Sequence, residues 1–344
     1  MNDLSRGRIL VTGGAGLIGS ALIWALNRRG IDDILVADYL DRGEKWKNLA
    51  PLRFHDYLEA DQLQQRILDT PAAFENIRTV FHLGACSSTL ETDAAYLMAN
   101  NYEFTKDIAH WSAGRNMRML YASSAATYGG LEEHLDDRCD LDSLRPLNMY
   151  AFSKHRFDIY AKRTGLLEKI TGLKYFNIFG PNEGHKGEMR SLVHKAFAQI
   201  QSSGSVKLFR SHRPEFRDGE QQRDFLYVKD AVDMTLHLSE RDAFGTYNIG
   251  SGESHTWLDL VRPIFAALDL PERIEFIDMP APLQRKYQYS TRAMMGRLQA
   301  TGYDRAITPL ATAVTDYVEN YLLTDSRLDP QAVEPRKVNQ PRYA

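Results

Sequence analysis

The stretch Arg8-Ile9-Leu10-Val11-Thr12-Gly13-Gly14-Ala15-Gly16-Leu17-Ile18-Gly19 decides the fold. A short apolar run rich in β-branched residues reads as a buried strand, and the residues after Gly16 take up a helical period. Leu17, Ile18, Ala21, Leu22, Ala25 and Leu26 make one apolar face of a helix expected over about Leu17 to Arg29, with Gly30 as its carboxyl cap. Gly13, Gly16 and Gly19 stand at the join of strand and helix. There they serve a tight turn, a close approach of backbone to a pyrophosphate, and packing of helix on sheet. The helix amino terminus then faces the anion with unpaired N–H groups and a favourable dipole, so no basic residue is needed.

Outward from that stretch, brief apolar runs alternate with helix-length segments. Ile9 to Val11, Ile34 to Ala37, Thr79 to Leu83, Met117 to Ala122 and Leu173 to Asn177 read as strands of a parallel sheet. After Gly180-Pro181 longer loops set in, including the polar stretch Arg210 to Arg223, and Tyr247 to Gly250 reads as a strand returning to the sheet. The expected fold is α/β, a Rossmann-type doubly wound parallel sheet with a smaller, sequence-interleaved α/β substrate lobe. Residues 1–177 and 225–258 are assigned to the dinucleotide-binding part, 178–224 and 259–323 to the lobe, and 324–344, polar and with three prolines, to a loose tail. Asp38 ends the second strand, where an acid accepts adenosine ribose hydroxyls and favours NAD. Lys45 a few residues on can neutralise a 2'-phosphate, which leaves NAD and NADP both open.

The 344-residue chain has a net charge of -3 with mixed signs, which argues against nucleic-acid and anionic-membrane partners and toward a small molecule. Cys86 and Cys139 are the only cysteines, too few for a disulfide framework and without zinc-ligand spacing, so no metal is expected and a reducing cytoplasm fits. The chain passes from Met1 into Arg8 to Val11 without room for a signal peptide, and no apolar run reaches roughly 18 residues.

The chemistry-bearing motif is Tyr150-Ala151-Phe152-Ser153-Lys154, downstream of Ser123-Ser124-Ala125-Ala126-Thr127-Tyr128-Gly129. On a helix Tyr150 and Lys154 share a face one turn apart, and the ammonium is expected to pull the phenol down from about 10 toward a working range. Ser124 follows a buried strand and can bond the same substrate oxygen. Tyr102 and Lys106 repeat the spacing with no serine-bearing strand ahead of them, and read as an exposed helical pair.

These residues resemble the extended short-chain dehydrogenase/reductase family, from about Arg8 to Leu322. Four segments, Phe81 to Thr89, Tyr121 to Gly130, Asn182 to Gly187 and Arg223-Asp224-Phe225, are similar to those of its branch of epimerases acting on an ADP-linked heptose. The resemblance implies cofactor contacts from Leu17, Ile18, Asp38, Tyr39, Lys45, Leu83, Gly84, Ala85, Cys86, Ser87, Asn100, Lys154 and Ile178. It implies contacts to the nucleotide sugar from Asn177, Phe209 and Tyr287, and to its diphosphate from Arg223. It also implies an isomerase that epimerises C6'' without net redox, a tightly held NADP or NAD, a role in supplying heptose for lipopolysaccharide core, and a homo-oligomer, pentameric in that branch. Tyr150 would take the C6'' hydroxyl proton; the aldehyde would rotate and be reduced on its other face. Lys186 is the candidate for the second proton-handling group or, equally, a phosphate partner, and His185 reads as structural. Ala60 stands where some members have a cofactor-binding lysine, and Glu188, Lys195, Arg210, Ser211 and His212 depart from substrate-loop residues, so no role is carried to them.

Two other readings belong beside this one. A UDP-hexose 4-epimerase uses the same residue chemistry, whereas a 4,6-dehydratase is disfavoured because Ala125 and Ala126 replace the Asp-Glu pair that drives loss of water. A non-catalytic dinucleotide sensor of the same fold would commonly lack the tyrosine and lysine.

Overall fold

A computed structural model describes residues 2–284 and 287–332. The strands β1 (Arg8–Thr12), β2 (Ile34–Asp38), β3 (Asp56–Glu59), β4 (Ile77–His82), β5 (Arg118–Ser124), β6 (Ile170–Tyr175) and β11 (Gly245–Ile249) form one sheet in the order β11-β6-β5-β4-β1-β2-β3. Every pairing in it is parallel. Alternate residues of each strand enter two separate cores. Ile9, Val11, Val36, Phe81 and Leu120 pack in one, with Ala21 and Leu22 of α1 (Leu17–Arg28), Val232 of α7 (Val228–Ser239) and Leu260 of α8 (Trp257–Ala267). Leu10, Leu35, Val80 and Met119 pack in the other, with Leu63 of α2 (Ala60–Asp69), Ile108 of α4 (Phe104–Gly114) and Phe157 of α5 (Met149–Arg163). Strands buried on both faces are therefore apolar throughout, which is why they are legible in the sequence.

β3 is the exception. Asp-Tyr-Leu-Glu is too polar to read as a strand, and it forms the sheet edge, where one side is wet and charges discourage further pairing. The run Leu173 to Asn177 divides: β6 ends at Tyr175 and a separate short strand, β7 (Asn177–Phe179), pairs in parallel with β10 (Phe225–Tyr227).

Beyond β7 lie α6 (Leu192–Ser203) and two further small pairings: β8 (Val206–Phe209) parallel with β13 (Ile274–Ile277), and β9 (Gln222–Arg223) antiparallel with β12 (His255–Thr256). α3 (Ala94–Leu97) runs into a wide π turn, Met98–Glu103, ahead of α4. The segment expected to lie loose from Thr324 is instead anchored as far as residue 332. Leu328 is fully buried, its N–H donates to Asn182 Oδ1 (3.1 Å), and Trp24 Nε1 donates to the Asp329 carbonyl (3.3 Å). A single apolar side chain that finds the α1 core overrides the polar composition around it. The remainder of that expected tail, 333–344, lies outside the described residues.

Candidate active site

The glycine turn is built as its spacing requires. Gly13 has φ +68°, and a Cβ on it would lie 2.6 Å from the Gly84 nitrogen; a Cβ on Gly19 would lie 2.1 Å from the Gly13 carbonyl oxygen. Gly16 caps α1 with no side-chain hydrogen bond, so the helix amino terminus is left for another acceptor. Asp38 ties this turn to the end of β2. One oxygen accepts from Ala15 N (2.8 Å), the other from Tyr39 N (2.7 Å) and from the Lys45 ammonium. The Asp38 carboxylate thus already holds three donors, so a ribose hydroxyl would have to join them and a 2'-phosphate would have to draw Lys45 away.

The loop after β4 is fixed by residues that carry no motif. Thr12 Oγ1 accepts from Gly84 N (3.1 Å) and bonds His82 Nδ1 (2.8 Å). Burial, with the nearby Lys154 charge, pushes His82 down to about 3, so it stays neutral. Asn101, fully buried in the π turn, accepts from Cys86 N (2.9 Å) and donates to Cys86 O (2.9 Å) and to Ser153 Oγ (3.1 Å). One amide thereby joins the cofactor loop to the helix that carries Tyr150. Sequence reasoning passed over Asn101; its only signal was a second Asn beside Asn100.

Asn148 caps α5 by accepting from Ala151 N (2.8 Å), which sets the helix start and hence the direction of Tyr150. Ser124 ends β5, accepts from Ala126 N (3.1 Å) and lines the same cleft as Tyr150. Lys154 is buried, and loss of water pushes its ammonium down to about 8, against the pull of Asp158. Tyr150 moves up, not down: desolvation outweighs the stabilising influence of Ser124, and Cys86 and then Asp158 add to the rise. The expected lowering of the phenol by Lys154 is not met by the side chains alone, because the same burial that isolates the tyrosine also weakens the lysine's hold on its proton.

Lys186 enters from the turn Gly184–Met189. Burial lowers it too, opposed by Glu183, a fully buried carboxylate that accepts from Ser191 N and Ser191 Oγ (both 2.6 Å). Asn48 donates to the Ala15 and Asn182 carbonyls (2.8 Å each) and lies 3.2 Å from His185 Nδ1. The glycine turn and the Lys186 turn are thus held by one side chain. His185 is pushed down to about 4, first by burial and then by Lys45 and Lys186, which leaves it a neutral, structural group.

All of the expected cofactor residues, together with Ser124, Tyr150, Lys154, Lys186 and Asn177, line one cleft of about 800 Å³. Its size suits a dinucleotide with part of a second ligand. Phe209, Arg223 and Tyr287 do not line it. The Arg223 guanidinium lies over the rings of Trp257 (5.7 Å) and Tyr287 (5.0 Å), and Trp257, whose Nε1 donates to Tyr287 Oη (2.8 Å), reaches the cleft wall. Trp257 was not singled out from the sequence, where it stands in no recognisable pattern.

The sequence matches the NAD dependent epimerase/dehydratase family over residues 9–250. A protein of Nitratidesulfovibrio vulgaris strain Hildenborough, named ADP-L-glycero-D-manno-heptose-6-epimerase, is 46% identical over 315 residues, covering 91% of this chain and 97% of that one. One of Fusobacterium nucleatum with the same name is 43% identical over 325 residues, covering 91% and 98%. Among solved structures, the Helicobacter pylori ADP-L-glycero-D-manno-heptose-6-epimerase superposes with a TM-score of 0.77 at 23% identity, covering 93% of this chain and 98% of that one. A UDP-N-acetylglucosamine 4-epimerase from Methanobrevibacter ruminantium gives 0.78 at 21% identity, covering 95% and 100%. Likeness at that identity speaks for the fold alone.

Proposed function

This chain belongs to the NAD dependent epimerase/dehydratase family, and from that premise we propose that it interconverts ADP-D-glycero-β-D-manno-heptose and ADP-L-glycero-β-D-manno-heptose at C6''. The observation that carries the reading is that Tyr150, with Ser124 and Lys154, and Lys186, from a separate turn, meet in one cleft beside the glycine turn. Relatives sharing more than two fifths of their residues along nearly their whole length bear the name of that activity, which the fold by itself does not distinguish from 4-epimerisation.

The cleft fits NAD or NADP: Gly13, Gly16 and Gly19 line it without side chains, and the α1 amino terminus is open toward it. When bound, the dinucleotide supplies a reversible hydride acceptor next to the sugar. The protein's part is to orient and to move protons. Ser124 fixes the reacting oxygen, Tyr150 takes the C6'' hydroxyl proton, and Lys154 holds the cofactor and compensates the phenolate charge. After the aldehyde turns over, Lys186 returns a proton from its own side. Arg223, over the rings of Tyr287 and of Trp257, which lines the cleft, would meet the sugar diphosphate.

The product would feed lipopolysaccharide core assembly. We place the enzyme in the cytoplasm, as a homo-oligomer, where the unpaired Cys86 and Cys139 stay reduced. The test is proton NMR of the purified protein with ADP-D-glycero-β-D-manno-heptose and no added cofactor. Appearance of the C6'' epimer is the expected result. Inertness toward this sugar, with turnover of a UDP-hexose under the same conditions, would replace the proposal by a 4-epimerase.

A further inference from the structure

Behind the catalytic turn lies a charge pair that none of the steps above uses. Asp158 of α5 and Lys174 of β6 are both wholly excluded from solvent, with carboxylate and ammonium 2.9 Å apart. Asp158 follows Lys154 by four residues, as Lys154 follows Tyr150, so the three share one face of α5. The Asp158 carboxylate accepts from Tyr121 Oη (2.8 Å), Ser123 Oγ (2.7 Å) and Lys174 Nζ. Lys174 Nζ also donates to Thr127 Oγ1 (2.6 Å), and Thr127 Oγ1 donates to the Ser124 carbonyl (2.7 Å). Gly172 of β6 belongs to the same arrangement, since a Cβ there would lie 2.5 Å from the Tyr121 hydroxyl.

Stability does not account for these charges. A buried ion pair recovers little more than its own desolvation, and apolar side chains of equal volume serve as well or better. What apolar residues lack is a fixed negative charge one turn behind Lys154. We propose that Asp158, pinned by Lys174, Tyr121 and Ser123 one helical turn beyond Lys154, is a positioning residue whose carboxylate favours the charged form of Lys154 for its work beside Tyr150. This deepens the epimerase reading and rests on it for the role of Lys154.

The groups around the pair leave Asp158 as the one carboxylate, among the described residues, that acts on Lys154. Lys154 is faced by Tyr150 on its own helix, by His82 at the end of β4 and by Cys86 in the next loop. Asp158 is faced by Tyr121, by Lys174, and by His155, which burial pushes down. Burial drives Lys154 toward the neutral amine, and Asp158 is the first of the groups opposing it.

The experiment follows the Lys154 13Cε resonance of the cofactor-loaded protein through a pH titration, assigned by its loss in Lys154→Arg. In Asp158→Asn the midpoint should fall by at least about one pH unit, because an opposite charge has been removed from a buried lysine. The paired Asp158→Asn/Lys174→Met variant leaves no uncompensated buried charge, guards against failure to fold, and should show a smaller fall of the same sign, because a repelling ammonium goes with the carboxylate. The alkaline limb of the epimerisation rate should move with it. A midpoint that stays at the wild-type value in both variants overturns the proposal, whether or not any sugar turns over. A midpoint that falls in the variants while the unsubstituted protein is inactive on the heptose supports the charge relationship and sinks the epimerase reading instead.

Discussion

Two Tyr-x-x-x-Lys pairs in this chain have the same spacing and opposite chemistry. Lys106 lies 4.8 Å above the Tyr102 ring and 2.7 Å from Glu103, on the outer side of α4, and the Glu103 hydrogen bond pushes its proton affinity up. Lys154 lies under Tyr150 in the cleft, and burial pushes it down to about 8. Helical period puts the lysine near the tyrosine in both. What separates them is the water left around the ammonium and the carboxylate that acts on it: a half-exposed glutamate for one, a buried aspartate one helical turn on for the other. A motif of two residues records neither.

Substitutions at both pairs bear on that contrast. The largest effect is expected of Tyr150→Phe, which should lower turnover by about 10²- to 10⁴-fold, the range for removing a positioned acid or base, while Tyr102→Phe stays within about twofold. Equal rates in the two variants, read by epimer formation, would erase the distinction. Next, Lys186→Met should lower kcat by about 100-fold with little change in KM if it returns the second proton. A raised KM at unchanged kcat would make it a phosphate partner instead. The pH profile sharpens the contrast further. Lys154 gives up its proton as pH rises through about 8, so turnover should decline above that point, whereas Lys106 stays charged and its replacement leaves the limb where it was. The smallest effect belongs to Lys106→Met, expected to change stability by no more than about 1 kcal/mol in a denaturant melt, as for other surface ion pairs.

Much of the site was legible because backbone geometry restricts the residue type. Gly13 and Gly19 admit no Cβ, and strands buried on two faces admit little that is polar, so turn, sheet and the acid at Asp38 stand out in the sequence. The β3 edge and the anchoring of Leu328 were not legible: an edge strand tolerates charge, and a lone leucine in a polar run gives no period. Asn48, Asn101 and Asp158 were missed for another reason. Each acts through partners far away in the chain, 134 residues in the bond from Asn48 to Asn182, 52 in that from Asn101 to Ser153, and 37 in that from Tyr121 to Asp158.

The sequence by itself determined the doubly wound sheet, the glycine turn and the helix that pairs Tyr150 with Lys154, since these depend on local period and on space denied to side chains. Only the tertiary structure decided which of two like-spaced lysines is desolvated, that burial raises Tyr150 rather than lowering it, and that Arg223 lies over two aromatic rings, one of which lines the cleft. Proton affinity depends on the water and charge that folding brings around a group, and those come from every part of the chain.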